Sequence, residues 1–155
     1  MGTVEILLVG DNPDDVDLTL RALRKAGLGE RVLHFEDGAR AVEFVFGQGE
    51  FAGRDATILP RLILLDLKLP KLDGLEVLRC LKDDPHTRAI PVVMLTSSTE
   101  ERDVRASFDL GANSYVVKPV GFDEYVSKLA AVGRYWVSCN QPIPPAARPG
   151  EAAGS

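Results

Sequence analysis

Four short apolar runs each lead into a residue with useful chemistry. Asp11 lies just past VEILLV (4–9), Asp66 closes LILLD (62–66), Thr96 follows PVVML (91–95), and Lys118 follows NSYVV (113–117). In open α/β sheets, ligands bind at the carboxyl ends of strands, beside the point where strand order reverses. If the first and third runs are neighbouring strands, two carboxylates share that edge. Close anions repel and call for a cation; an all-oxygen donor set suits Mg²⁺, completed by waters and phosphate oxygens. A hydroxyl and an ammonium then make up a set for phosphoryl transfer, where positioning and charge neutralisation carry most of the catalysis. An aspartate acceptor would become an aspartyl phosphate. Taken alone, Asp11 and Asp66 are equally well ordinary loop acids. Thr96 and Lys118, at two further strand ends, tip the balance.

These residues need a scaffold. The apolar runs, with a fifth at 31–35 (RVLHF), are short and rich in Val, Ile and Leu. Continuous apolar runs suit strands buried on both faces, as in a parallel sheet. Between them, apolar residues recur at helical spacing: Val16, Leu20 and Leu23; Val42, Val45 and Phe46; Leu75, Leu78 and Leu81; Phe122, Val126 and Leu129. The segment 100–111 is the weakest helix, with Val104 and Phe108 as its apolar pair. Asn12 caps a helix with Pro13 in its first position and Asp14 and Asp15 in its first turn. Asp73 to Glu76 and Ser98 to Glu101 read as capping boxes. The order βαβαβαβαβα predicts a doubly wound α/β fold: a five-stranded parallel sheet with helices on both faces.

The chain has 155 residues, which fits one domain and no second domain of ordinary size. Its net charge of -5 argues against binding nucleic acid or a membrane surface through a basic face. No apolar run reaches the ~18 residues of a membrane span, and the N-terminus lacks a basic leader. Two cysteines, Cys80 and Cys139, have no metal-ligand spacing, so a reducing cytoplasm is expected. Cys80 is expected in the core of the third helix. His34 is expected as a packed strand histidine and His86 as a solvated loop one. Residues 47–61 form a long Gly-rich connection. Residues 140–155 (NQPIPPAARPGEAAGS) read as a flexible tail after a domain spanning 1–139. Tyr135, Trp136 and Val137 end the last helix, either as core or as a partner surface.

LLVGDNPDD, LILLDLKLPKLDG, PVVMLTSS and GANSYVVKP together resemble the receiver domains of two-component response regulators, over about residues 4–135. The resemblance implies a flavodoxin-like sheet of order 2-1-3-4-5. It implies that Asp66 accepts a phosphoryl group from a phosphohistidine on a sensor histidine kinase. Asp11, Asp66 and the backbone carbonyl of Lys68 would bind Mg²⁺. Thr96 and Lys118 would contact the phosphoryl oxygens, Tyr115 would be the aromatic switch, and small Ser97 would leave access. The bond between Lys118 and Pro119 is usually cis in the family. The 47–61 connection, KDDPHTRAIPVVMLTSS and GRYWVSCNQPIP look like the single-domain regulators paired with phytochromes, which implies a light-sensing kinase and a homodimer. Such a protein is a phosphoacceptor, not an enzyme on other substrates, and its output runs through protein contacts.

One departure stands out. The family has two adjacent acids after the first strand; here the pair is Gly10-Asp11. Loss of an outer partner weakens metal binding by ~10–100-fold, and Asp14 and Asp15 are placed to compensate in part. Two other readings stay open: a degenerate receiver that binds partners without phosphorylation, and a flavin-type cofactor binder. The acid-rich loop after the first strand disfavours the latter, and no G-x-G-x-x-G supports a dinucleotide site.

Overall fold

A computed structural model describes residues 4–118, 121–141 and 144. Its strands are β1 (Ile6–Val9), β2 (Val32–Phe35), β3 (Leu62–Asp66), β4 (Val92–Thr96) and β5 (Ser114–Val117). The helices are α1 (Pro13–Lys25), α2 (Gly38–Phe46), α3 (Gly74–Asp83), α4 (Glu101–Asp109) and α5 (Phe122–Arg134). The strands form one parallel sheet in the order β2-β1-β3-β4-β5. Both the alternation and the inferred order are therefore borne out.

Period-2 alternation along each strand divides the core into two layers. Leu7, Val9, Ile63, Leu65, Val92 and Met94 point to the side covered by α2 and α3. Ile6, Leu8, Leu62, Leu64, Val93 and Leu95 point to the side covered by α1 and α5. The central strand residues Leu62, Leu64 and Leu65 have no exposed surface. Each such side chain contributes roughly 1.5–3 kcal/mol by leaving water.

The register places the chemistry. Val9 pairs with Leu65, so Gly10 comes level with Asp66. Asp66 pairs with Leu95, and Thr96 with Val117. The four strand ends thus finish along one edge of the sheet. The Asn12 side chain accepts from the Asp15 N–H at 3.0 Å and starts α1 with Pro13, as expected.

Several local expectations are corrected. Asp73 occupies the cap position of α3 but makes no side-chain cap bond. Helix α4 starts at Glu101, two residues later than a cap at Ser98 would start it; Ser98 stays in the loop, where its Oγ accepts from Glu100 N–H and donates to Asp103 Oδ2 at 2.6 Å. Cys80 is exposed, because α3 turns Val77, Leu78 and Leu81 inward and Cys80 falls on the opposite face. Phe108 and Phe122 are about half exposed (49% and 47%) rather than core. His86 is half-buried, with Nε2 2.7 Å from the carbonyl of Ala56, so it joins two loops instead of standing in solvent. Cys139 is exposed as well. After α5 the chain continues as a π-helical turn, Tyr135–Cys139, which buries Val137 and leaves Tyr135 exposed. Among the described residues, no helix is long and apolar enough to cross a membrane. The tail expected after Cys139 lies largely outside the described residues, as does the bond from Lys118 to Pro119.

Gly74 couples the fold to the strand end. A Cβ there would overlap the backbone carbonyl oxygens of Asp66 and Leu67, whereas Gly53 has open space around it. Gly74→Ala should therefore cost about 1–3 kcal/mol, the usual penalty of forced overpacking. Gly53→Ala should stay within about 0.5 kcal/mol of the parent. Urea unfolding of the two variants measures the contrast.

Candidate functional site

At the carboxyl edge of the sheet lies an open cleft of about 470 Å³, lined by Asn12, Asp15, Asp66, Lys68, Thr96 to Glu100, and Lys118. Its centre is an ion-pair triad. Lys118 Nζ is 2.9 Å from Asp15 Oδ2 and 3.3 Å from Asp66 Oδ2. The side chains of Lys118 and Asp66 are largely covered, with 13% and 18% of their surface exposed. A pair shielded to that degree is screened far less than a surface salt bridge.

Burial raises the Asp66 carboxyl above the usual carboxylate range, and the nearby Lys118 ammonium offsets this only in part. Burial pulls the Lys118 ammonium down, but Asp15 and Asp66 outweigh it and hold the ammonium above its ordinary value. The Lys68 N–H reaches Asp66 Oδ1 at 3.4 Å, a long and weak bond.

Thr96 is buried at the end of β4, and its hydroxyl oxygen accepts from the Ser98 N–H at 3.1 Å. Tyr115, on β5, packs its ring against the α3 side of the core. Its hydroxyl donates to the Ser98 carbonyl at 3.0 Å. Burial raises the Tyr115 phenol, and its bond to Ser98 opposes this. Thr96, Ser98 and Tyr115 thus form one hydrogen-bonded chain from the cleft to the outer edge of the sheet. Ser97 lines the cleft with a small side chain, as expected.

Asp11, two residues past the end of β1, is exposed at the turn into the Asn12 cap. Asp15 lines the cleft, and Asp14 is exposed. The sequence signal for Asp15 was its place three residues after a cap, which turns it back toward the strand end. His34 sits on β2 with Nε2 2.7 Å from the Gly10 carbonyl, so it braces the first strand end and takes no part in the cleft.

The donor atoms here are carboxylate, hydroxyl and carbonyl oxygens, without a thiol or imidazole at the cleft. That set fits a hard cation such as Mg²⁺. Among the described residues, no three His, Cys, Asp or Glu side chains converge closely enough to hold a metal by themselves. A metal here would thus draw on a backbone carbonyl and solvent besides the carboxylates.

The pattern of the response regulator receiver domain matches residues 6–130. The chain belongs to this family. Two relatives match along nearly their whole length. A probable methanogenesis regulatory protein of Methanothrix harundinacea, FilR2, is 40% identical over 91% of this chain and 88% of its own. The response regulator Rcp1 of Synechocystis is 37% identical over 85% of this chain and 88% of its own. Among solved structures, the phosphorylated cyanobacterial phytochrome response regulator RcpA superposes with a TM-score of 0.82 at 35% identity, covering 91% of this chain and 99% of that one. The bacteriophytochrome response regulator RtBRR gives 0.73 at 47% identity, covering 92% and 86%. The receiver fold and the two-component assignment therefore stand.

The raised Asp66 carboxyl has a consequence for stability. Above that raised value the folded receiver bears a buried charge that the unfolded chain does not. Asp66→Asn removes the charge, while Asp15 still partners Lys118. The variant should melt about 2–4 °C higher at pH 7, the shift that about 1 kcal/mol makes at this chain length. The gain should shrink as pH falls through the raised Asp66 value toward the unfolded carboxylate value of about 3.9. Calorimetry across that range reads it.

Proposed function

We propose that this receiver takes a phosphoryl group onto Asp66 from the phosphohistidine of a sensor histidine kinase. The observation that carries this is the shielded Asp66–Lys118 pair, 3.3 Å apart at the strand ends beside Thr96. A carboxylate oxygen of Asp66 attacks phosphorus. The P–N bond to imidazole breaks, and its electron pair leaves with the imidazole. Lys118 balances charge on the transferred phosphoryl group, and Thr96 turns its hydroxyl hydrogen toward a phosphoryl oxygen. Asp11, Asp66 and the Lys68 backbone carbonyl would hold Mg²⁺. When bound, the metal supplies positive charge to neutralise the phosphoryl oxygens. The open cleft beside Ser97 admits the donor.

When Thr96 follows the phosphoryl group, its bond to the Ser98 N–H is re-made, and Tyr115, tied to the Ser98 carbonyl, moves with it. A local charge event thereby biases the surface of α4 and β5. Output passes through protein contacts, including a homodimer partner, in the cytoplasm. The protein acts on no further substrate. The kinase is a phytochrome-type photoreceptor, supported by the likeness to Rcp1, RcpA and RtBRR along nearly the whole chain. Gly10 alone does not favour a phosphorylation-independent module, since Asp66, Thr96 and Lys118 all line or flank one cleft.

Incubation with a small acyl phosphate should give a shifted band on a phosphate-affinity gel only when Mg²⁺ is present, and none in Asp66→Asn. Lys118→Ala should slow labelling by about 10²–10³-fold, the usual effect of removing one preorganised stabiliser of developing charge. Labelling that survives Asp66→Asn would contradict the assignment. Faster transfer from an autophosphorylated phytochrome kinase than from an unrelated sensor kinase would establish the pairing.

A further inference from the structure

We infer that Asp15 is a further carboxylate of the acceptor pocket, a positioning residue that takes over, from the first turn of α1, the charge missing at Gly10. The inference rests on the phosphoacceptor reading of this cleft and deepens it.

Three observations place the role on Asp15. Lys118 Nζ lies closer to Asp15 Oδ2, at 2.9 Å, than to Asp66 Oδ2, at 3.3 Å. One ammonium is thus shared between the two acids, and Asp15 sets where it rests. Gly10, level with Asp66 on the neighbouring strand, offers no side chain. A Cβ built there would lie 3.6 Å from Val16 Cγ2, 3.8 Å from Asp66 Cβ and 3.9 Å from Asp66 Oδ2, all ordinary contacts. A side chain on residue 10 would therefore begin without a clash, directed at Asp66. The pocket has room for an acid on the strand or on the helix, and this chain supplies the helical one.

Asp15 is also well fixed. Its N–H donates to the Asn12 cap at 3.0 Å, and its carbonyl accepts from Thr19 Oγ1 at 2.9 Å. Thr19 in turn pairs with Tyr125 Oη of α5 at 2.8 Å, which locks α1 against α5 beneath the cleft. These bonds use the Asp15 backbone, so neutralising its side chain leaves them in place. Asp15→Asn is then a test of charge at a fixed position. Asp14, exposed and outside the cleft, removes the same charge without the contact.

The consequence concerns metal affinity. In the resting site, Asp15 draws part of the Lys118 charge away from Asp66. Asp66 keeps more negative character toward a cation, and Asp15 adds its own. Without Asp15, Lys118 would rest wholly on Asp66 and compete with the metal for it.

Isothermal titration of the full unphosphorylated chain with Mg²⁺ tests this. Asp15→Asn should weaken binding by about tenfold, the lower end of the range for outer metal partners. Asp14→Asn should bind as the parent does. Gly10→Glu in the Asp15→Asn background should restore affinity, because the strand acid replaces the helical one. A merely structural role for Asp15 would not be rescued from position 10. If the parent binds Mg²⁺ and Asp66→Asn abolishes it, but Asp15→Asn leaves affinity unchanged, the inference on Asp15 is overturned while the phosphoacceptor site stands. Equal weakening by Asp14→Asn and Asp15→Asn, or no restoration by Gly10→Glu, overturns it as well. If the parent shows no Mg²⁺ binding, or Asp66→Asn does not affect it, the site reading beneath both proposals fails.

Discussion

One ammonium group organises the site. Lys118 stands between Asp15 and Asp66, all three partly withdrawn from water at the edge of a parallel sheet. Two carboxylates side by side repel. The shared cation offsets that repulsion and leaves Asp66 under tension. Burial lifts its carboxyl, and the ammonium only partly opposes the lift. A group in that state gains from any further positive charge placed beside it. Structural ion pairs share some of these features, but few lie in an open polar cleft at a strand end.

The fold exists, in energetic terms, to hold that tension. The strands are sealed on both faces, so their register cannot slip by one residue without turning core side chains toward the wrong layer. Register in turn fixes the height of Gly10, Asp66, Thr96 and Lys118 relative to one another. Gly74 lets the start of α3 approach the backbone of Asp66 and Leu67 closely. On the other side, the chain of bonds from Thr96 through Ser98 to Tyr115 leads away from the cleft to the edge strand. Helix α4, the least buried of the five with only Ser107 covered, sits where that chain ends. A weakly anchored helix beside a hydrogen-bonded relay is suited to shift, and more firmly packed elements are not.

Much of this was legible in the residues. Strands buried on both faces leave continuous apolar runs, and all five were read with ends within a few residues. Asp66, Thr96 and Lys118 were found because they end such runs. Strand order came from the family resemblance, since alternation alone leaves several topologies. Helix faces were harder. Apolar spacing finds a stripe but does not fix its phase, so Cys80, Phe108 and Phe122 were set inward and emerged exposed. The same limit left Asp14 and Asp15 undistinguished as compensating acids; the structure brings Asp15 to Lys118 and leaves Asp14 exposed. His86 was read as a solvated loop residue, and 47–61 only as a long Gly-rich connection, because loops carry no period. Phe51 and Arg54 anchor that connection against Phe44.

The central claim is that the shared-ammonium site makes Asp66, and no other acid of the cleft, the covalent acceptor. Borohydride reduction of the phosphorylated receiver converts an aspartyl phosphate to homoserine, and peptide mass spectrometry locates it. The account predicts homoserine at position 66 alone. Homoserine at position 11 or 15, or none in a receiver that carries covalent phosphate, would contradict it.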